Sequence, residues 1–487
     1  MEASSAGSVT RAVPGGSANA LAGAQRPLFG HPVSWLSRIL VAGGILLLAA
    51  TIWVTAPVDG TRALLASLLL AGVLALLRFP EISFALFLNA GMFKAGEALE
   101  NVQESMDVTI FFLIVSILGI LWNIFTRRLA LRLPPRELLI PFGCIVALAM
   151  TSLVYTLAPV YGTQKFGRLA ILTFAAFLCP ALLFQEQQRI TRFLWSYLIV
   201  PITMVAAVGF SEEFQGGQFG QQDAFGSGYL GFGNVAAQGT LILLTYFLFR
   251  AKSVWGKIPI LLLALLNGIG IFASGARGSA VGFSLALGFV LFWTVRDMFS
   301  GAHATQSSKR QVRKAVLLLG TFVVIVGLAL WTVGEYFSTF LIRTEELVQA
   351  LSATESERID LYQKSLQFLL TFPRALVGMG FGGWSLYYYG FDAPRGGFPH
   401  NVFLEVGVEL GWFGLVFLIW MLFRAFRTGW RLLENSSPRH YPAVLCFMTL
   451  LIYMFGFSSF HGDIDDCRQL FTWMSAIYAC GQSQFWS

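Results

Sequence analysis

Long runs of apolar residues separated by polar connections make up most of this 487-residue chain. The runs are continuous rather than alternating, as in Ile39 to Thr55 and Val316 to Val333. Continuous runs are typical of transmembrane helices, because about 20 apolar residues cross a bilayer core of about 30 Å. The pattern predicts an all-α polytopic transmembrane bundle of about 12–14 spans. These lie at about 36–56, 63–78, 82–95, 107–125, 138–157, 166–184, 193–210, 231–250, 258–274, 278–295, 314–334, 401–424, 441–459 and 468–483.

The second and third spans are short for a bilayer. They meet at Arg78, Phe79 and Pro80, and this favours a re-entrant pair that turns back near these residues. In either arrangement the chain leaves the pair on the side from which it entered. The topology of the later spans is therefore unaffected.

Composition supports the membrane assignment. The hydrophobic fraction is 56% and the charged fraction is 12%, whereas soluble domains are about 25% charged. The five cysteines form no CxxC pair, so neither a disulfide framework nor a metal site is expected. The net charge of +7 is attributed to residues that anchor the protein on the cytoplasmic side, and no nucleic-acid partner is expected.

Two regions of the chain are expected. Residues 1–35, rich in Ala, Gly and Ser, read as a disordered cytoplasmic tail. Residues 36–487 are predicted to form a single integral membrane domain, and they show no clear internal repeat. Its longest connection, at about 335–400, is expected to be the main periplasmic loop, and a second segment rich in Gly, Gln and Phe lies at 211–234.

Charge predicts the orientation. With the N-terminus inside, most of the 33 basic residues fall on one set of connections, while most of the acidic residues fall on the other set. Because cytoplasmic loops carry the excess of Lys and Arg, this distribution places the basic side in the cytoplasm of a bacterial inner membrane. The cytoplasmic set includes Arg127/Arg128, Arg189/Arg192, Arg250, Arg296 and Arg424/Arg427/Arg431.

Several basic residues break this rule and lie on the outer side. Lys165, Arg168 and Arg277 each occupy a short connection or the first turn of a span. They are either interfacial anchors or functional cations. The motif around Arg277, SGARGS, lets two helices approach closely through small residues. A guanidinium held there can bind phosphate oxygens through two parallel hydrogen bonds.

His400 ends the long loop directly before a span, on the same side as Arg277. Glu405 and Glu409 follow inside the apolar helix, on one face at i, i+4 spacing. Carboxylates within a span need a cation or a shared proton. They either orient His400 or pair with an outer arginine, and a purely structural ion pair is an equal alternative.

The long loop is also aromatic, with Trp384, Tyr387, Tyr388, Tyr389 and Phe391 close together. Such residues argue against disorder. They form either an interfacial aromatic belt or platforms on which sugar rings stack.

These elements together resemble the O-antigen ligase/polymerase superfamily over roughly residues 140 to 424. SGARGS and the block that contains His400 are the specific motifs. Asn234 lacks the proline that often stands beside it in the family, and FHGDIDDCRQL is similar to an acidic segment of some relatives. The motifs in family order are Lys165 with Arg168, GFGN ending at Asn234, SGARGS, Arg358 with GMGFGGW, and PHNVFLEVGVELGWFG.

The resemblance implies transfer of a glycan from an undecaprenyl-diphosphate donor to a sugar hydroxyl at the periplasmic face, without metal or other cofactor. The acceptor is lipid A–core or a second lipid-linked glycan. We predict His400 as general base, and Arg277 and Arg168 as catalytic cations on the diphosphate. The residues predicted to bind substrate are Arg358, Lys165, Asn401, Glu405, Asn234 and Trp384.

Alternative functions remain open. Within the superfamily, a ligase, a polymerase and a protein O-oligosaccharyltransferase differ only in the acceptor. A transporter or flippase of lipid-linked glycans belongs to another class, and it places polar groups near the midplane of repeated halves. The clustering of polar groups at one face favours transfer over transport. A membrane scaffold does not require SGARGS or the motif that contains His400.

Overall fold

The computed structural model describes residues 71–93, 107–210, 228–300, 316, 319–324, 327, 357–393, 396–437, 439–464 and 467–483. Within these ranges the chain forms helices and no strand. Eight of the described helices are long and apolar enough to cross a membrane, or up to nine if a bent pair is counted as one span. The protein is therefore a polytopic helical membrane protein, as predicted.

Some sequence predictions fall outside the described residues. They are the N-terminal tail at 1–35, the span at 36–56, the first half of the span at 63–78, most of the span at 314–334, the segment 211–227 and the loop portion 335–356. The total of 12–14 spans stays a prediction, as does the division into a tail and one membrane domain.

Fourteen helices are labelled here in chain order. A turn of π-helix at Leu169–Thr173 joins α5 to α6. Another at Leu243–Phe247 extends α8 as far as Arg250. The helices are α1 Ala71–Arg78, α2 Pro80–Asn89, α3 Val108–Phe125, α4 Arg136–Ser152, α5 Pro159–Arg168, α6 Phe174–Leu183, α7 Gln187–Phe210, α8 Gly228–Ile242, α9 Val254–Ala273, α10 Arg277–Ser300, α11 Glu357–Leu369, α12 Val402–Asn435, α13 Tyr441–Ser458 and α14 Arg468–Ser483.

The short pair is bent, as the sequence suggests. α1 and α2 meet at 103° on either side of Phe79. Pro80 at the first position of α2 explains the break, because proline starts a helix well and cannot continue one. Arg78, Phe79 and Pro80 therefore mark a sharp turn in the chain.

One span begins earlier than predicted. The helix expected at 166–184 starts at Pro159, so Lys165 and Arg168 do not lie in its first turn. Pro159 opens α5, and the carboxylate of Asp392 accepts hydrogen bonds from the backbone N–H of Val160 (3.0 Å) and Tyr161 (2.8 Å). The hydropathy pattern missed these first turns because their stability comes from this distant carboxylate.

The helices differ in burial. Within the most apolar part of each span, the buried share is 89% in Tyr229–Arg250 and 83% in Tyr441–Ser458. In Val254–Ala273 it is 33%. α8 and α13 are therefore central, and α9 is peripheral. Exposed apolar residues follow one stripe of α12 at spacings of three and four, which is the pattern of a lipid-facing helix. They are Phe413, Val416, Trp420 and Phe423.

The bundle has two ends that can be told apart. α4 and α12 pack against each other in opposite directions, since Glu137 at the start of α4 pairs with Arg424 in the second half of α12. His400 precedes α12 and lies at the other end. We call the two ends the His400 end and the opposite end. The described arginines at the opposite end include Arg78, Arg128, Arg189, Arg192, Arg250, Arg296, Arg424, Arg427 and Arg431.

Candidate active site

His400 sits at the junction of the long loop and α12 with a left-handed backbone (φ 55°). Few residues other than glycine adopt this conformation, and those that do are concentrated at functional sites. The next residue, Asn401, caps α12 by accepting from the N–H groups of Phe403 (2.9 Å) and Leu404 (3.1 Å), and it donates to the carbonyl of Ser459 (2.8 Å). Asn401, predicted to bind substrate, thus fixes the position of His400.

A second histidine lies beside His400. The ring of His461, in the loop between α13 and α14, is nearly parallel to that of His400 with centroids 6.1 Å apart. Burial, followed by the positive charge of Arg358, lowers the pKa of His400 below its usual value, while Asp463 acts in the opposite direction. Burial, His400 and Arg358 lower the pKa of His461 to about 4. These shifts favour the neutral imidazole, which is the form that a general base requires.

Both histidines retain hydrogen-bonding capacity. Among the described residues, the Nδ1 atoms of His400 and His461 are buried without a hydrogen-bond partner. Buried polar atoms are normally paired, so two unpaired nitrogens in one place suggest a site that binds a polar ligand. Arg358, half-buried in α11, donates a long hydrogen bond of 3.4 Å to the carbonyl of Phe460. A guanidinium thus lies near the histidine pair.

Lys165 and Glu405 were predicted to bind substrate, but the structure pairs them with each other. The Lys165 side chain is fully buried and hydrogen-bonds to Glu405 and to Glu409, the latter at 2.8 Å. Asp463 is 3.7 Å from the same Nζ. A buried ammonium needs such partners, because the cost of removing its charge from water is large. The arrangement favours the structural ion pair, one of the alternatives open from the sequence.

The loop before α14, which contains Asp463 and Ile464, packs against the ion cluster of Lys165, Glu405 and Glu409. Asp463 accepts a hydrogen bond from the Tyr161 hydroxyl (2.9 Å), and the N–H of Ile464 donates to Glu405 (3.0 Å). The loop also holds His461. These two hydrogen bonds connect the loop that carries His461 to α5 and α12.

The segment GMGFGGW, residues 378–384, passes against a break in α12. Gly411 (φ 70°, ψ −171°) interrupts the helix, and the carbonyls of Val408 and Glu409 accept from the N–H groups of Met379 (2.9 Å) and Gly380 (3.1 Å). A Cβ on Gly411 would lie 2.2 Å from the carbonyl oxygen of Leu376. Glycine is required there for both backbone conformation and close approach.

Trp384 was predicted to bind substrate, and its segment was interpreted as either an interfacial belt or sugar platforms, but the ring is not exposed. Its side chain is completely buried and stacks on Tyr388, with ring centroids 5.5 Å apart and an interplanar angle of 9°. Tyr388 is held in turn by a 2.7 Å hydrogen bond to Asp360. Tyr387 and Phe391 are the aromatic side chains of this segment that are largely exposed, at 51% and 43%.

Arg277 begins α10 at the His400 end and is half-buried. Its neighbour Gly278 lies against the loop that carries His461, since an added Cβ would be 3.7 Å from the Cβ of His461. A Cβ on Gly233 of GFGN would be 2.5 Å from the Ser274 hydroxyl. The structure thus joins GFGN, SGARGS and the His461 loop, which are far apart in sequence.

Arg168 and Asn234 are placed differently. Arg168 is half-buried at the C-terminal end of α5, and within the described residues it makes no hydrogen bond or ion pair. Asn234 belongs to a polar network inside the bundle, where its side-chain oxygen accepts from Gln238 (2.9 Å) and Tyr453 (2.9 Å). The structure does not bring either residue into contact with His400, and the bonds of Asn234 favour a packing role.

The sequence did not single out His461, and it left the role of Asp463 open. One signal could have identified His461, because it follows the end of α13 at Ser458 and the topology places it on the same side as His400. The proximity of Asp463 to Lys165 could not be inferred, since these residues are separated by almost 300 positions.

The chain also matches a model of a known protein family. A family model described as O-antigen ligase matches residues 260–419. The match includes SGARGS, Arg358, the GMGFGGW segment and His400, whereas Lys165, Asn234 and His461 lie outside it. No curated protein matches the chain. On this match and the motifs within it, residues 260–419 of this membrane protein are similar to the O-antigen ligase family.

Proposed function

We propose that the protein transfers a glycan from an undecaprenyl-diphosphate donor to a sugar hydroxyl at the periplasmic face of the bacterial inner membrane. The supporting observation is the half-buried His400, whose pKa is lowered by burial and by Arg358, at one end of the bundle and within the region matched by the O-antigen ligase family. The described arginines collected at the opposite end support a cytoplasmic location for that end. The His400 end then faces the periplasm.

In the proposed reaction, His400 removes the proton of the acceptor hydroxyl. The hydroxyl oxygen attacks the anomeric carbon of the donor sugar, while the bond from that carbon to the diphosphate oxygen breaks. Undecaprenyl diphosphate leaves with the bonding electrons, and the configuration at the anomeric carbon inverts. Fixed cations lower the barrier because negative charge develops on the leaving group.

Arg277, Arg358 and Arg168 are the proposed cations. Arg277 and Arg358 both adjoin the loop that carries His461, through Gly278 and the carbonyl of Phe460. Arg168 has no partner among the described residues and is half-buried, so a diphosphate would supply its counter-charge. Lys165 is not included, because Glu405 and Glu409 already compensate its charge.

The exposed aromatic rings provide a surface for the sugars. Tyr387 and Phe391 lie on the long loop, next to the segment that packs against α12. Sugar C–H groups pack against aromatic faces, and the hydroxyl of Tyr387 adds a hydrogen-bonding group. The acceptor is lipid A–core or a second lipid-linked glycan.

The direct test is reconstitution of the purified protein with undecaprenyl-diphosphate oligosaccharide, with and without lipid A–core. A ladder of longer products without core shows a polymerase, and a single transfer that requires core shows a ligase. Absence of any glycosidic product with both acceptors would reject the proposal. The protein O-oligosaccharyltransferase alternative is tested by adding an acceptor protein in place of core.

Replacing Arg277 with Lys is expected to reduce transfer by about 10- to 100-fold, because lysine keeps the charge but loses the two parallel hydrogen bonds to phosphate. Initial rates in the reconstituted system measure the effect. Arg296→Lys is the matched control, since it makes the same change in the same helix at the opposite end. Equal activity of both variants would favour the interpretation of Arg277 as an interfacial anchor.

Replacing Arg358 with Gln is expected to move the acid limb of the pH profile of kcat/KM to higher pH. The guanidinium lowers the pKa of His400, so its removal raises that pKa, and more of the base is protonated at mildly acidic pH. Arg374→Gln is the control, because Arg374 is exposed on the same segment and is not among the charges that act on His400. An unshifted acid limb would show that His400 is not the titrating base.

A further inference from the structure

A second cluster of charged residues lies at the opposite end of the bundle, at the bend between α1 and α2. Glu81 is fully buried in α2 and pairs with Arg192 (2.6 Å) and Arg189 (3.3 Å) of α7. Arg189 also donates to the carbonyl of Arg128 (3.1 Å), which follows α3. Three separate parts of the chain thus meet around one carboxylate.

The cluster holds more positive than negative charge. Arg78 lies within electrostatic range of Arg128, Arg189 and Arg192, and Glu81 is the carboxylate that acts on it. Glu186 adds one further negative charge 3.9 Å from Arg189, but its side chain is 61% exposed. Four guanidinium groups therefore face one buried and one exposed carboxylate.

Phe79 organises the exposed part of this cluster. The guanidinium carbons of Arg78 and Arg192 lie 5.1 Å and 5.2 Å from the centroid of the Phe79 ring. Packing on one ring holds these two like charges near each other. Among the described residues, the side chains of Arg78 and Arg128 make no hydrogen bond or ion pair.

One buried donor in the cluster, the Nε of Arg189, makes no hydrogen bond within the described part of the chain, although the exposed carboxylate of Glu186 lies 3.9 Å from it. The side chain of Arg189 is 6% exposed. A buried guanidinium N–H that lacks a hydrogen bond requires an acceptor nearby. The surplus of positive charge and the unused N–H both call for an anion with several oxygen acceptors.

We propose that Arg78, Arg128, Arg189 and Arg192 bind the phosphate group of an anionic phospholipid at the end of the bundle opposite His400. A phosphodiester offers several oxygens to guanidinium groups and carries the negative charge that the cluster lacks. The site is separate from the glycan-transfer site and does not depend on the proposed reaction.

The adjacent surface favours a lipid as the source of the phosphate. α3 ends just before Arg128 and exposes an apolar stripe along its length. The acyl chains of a lipid whose headgroup lies at the cluster would follow this stripe, whereas free phosphate would leave it unused. The stripe consists of Ile110, Ile114, Leu118, Leu121 and Phe125, whose side chains are each between 48% and 67% exposed.

The test compares thermal unfolding of the full-length protein in phosphatidylcholine nanodiscs that contain increasing fractions of phosphatidylglycerol. The double variant Arg78→Gln/Arg128→Gln removes two charges without removing a partner of Glu81. Arg427→Gln/Arg431→Gln is the matched control, with two exposed arginines at the same end of the bundle. We expect phosphatidylglycerol to stabilise the wild type and the control alike, and the double variant to require about tenfold more of it.

Equal responses of the two double variants would overturn the proposal, because general attraction of anionic lipid to basic residues explains such a result. Stabilisation of the wild type by inorganic phosphate alone would overturn the assignment to a lipid. If the double variant does not accumulate, Arg78→Gln alone is used, because Arg78 is exposed and its guanidinium packs on the Phe79 ring. Native mass spectrometry of the protein with phosphatidylglycerol provides a second readout, in which loss of bound lipid from Arg78→Gln but not from Arg431→Gln is expected.

Discussion

Replacing His400 with Asn is expected to lower glycan transfer by at least about 100-fold, since a general base typically contributes 10²- to 10⁴-fold. Asn is preferred to Ala because it tolerates the left-handed conformation (φ 55°) that His400 adopts. The variant should therefore fold and bind the donor almost normally. Initial rates with reconstituted lipid-linked donor measure transfer, and thermal unfolding measures stability.

The control for this substitution is His440→Asn. His440 precedes α13 at the opposite end of the bundle, where Asn is a favourable N-terminal cap. We expect that variant to transfer glycan at nearly the wild-type rate. Activity of His400→Asn within a few fold of wild type would remove His400 from the mechanism.

A second comparison separates the two histidines of the pair. His461→Phe keeps an aromatic ring beside His400 but removes its nitrogens. We expect this variant to retain measurable transfer. Complete loss in His461→Phe together with activity in His400→Asn would identify His461 as the base instead.

Replacing Lys165 with Met is expected to destabilise the protein by about 3–5 kcal/mol, because removal of one partner from a buried ion pair leaves the others uncompensated. Three carboxylates, those of Glu405, Glu409 and Asp463, lie within 4.0 Å of the Lys165 ammonium. The loss should appear as a lower unfolding temperature in detergent and reduced accumulation in the membrane.

Two further variants test the cause of that loss. The triple variant Lys165→Met/Glu405→Gln/Glu409→Gln removes two of the three uncompensated carboxylates, leaving only that of Asp463, and should recover part of the stability. Lys364→Met is the matched control, because Lys364 is 47% exposed and pairs with Asp360 at i, i+4 spacing, an arrangement worth little. Wild-type stability of Lys165→Met with a raised KM would instead support the original prediction that Lys165 binds substrate.

The membrane-spanning helices could be predicted because the signal is local. A run of about 20 apolar residues predicts a span by itself, and most predicted spans in the described chain correspond to helices. The start of α5 was missed because its first turns are polar and depend on Asp392, more than 200 residues away. Similarly, the carbonyls at the break at Gly411 are satisfied by Met379 and Gly380, which is a tertiary feature.

The candidate site divides in the same way. The motif around His400 and the exception to the charge rule at Arg277 were visible as residue types in unusual positions. By contrast, Trp384 and Tyr387 are both aromatic residues of one segment, and only packing buries the first and exposes the second.

By itself, the sequence determined that the protein is a helical membrane protein, which motifs resemble the O-antigen ligase/polymerase superfamily and which charged residues stand in unusual positions. These properties follow from composition and from short-range pattern, because the cost of placing polar groups in lipid acts on each segment separately. Only the tertiary structure decided that Lys165 is neutralised by Glu405, Glu409 and Asp463, and that His461 lies beside His400. Those partners come from different helices and loops, and the energy of a buried charge depends on which of them the fold brings within contact distance.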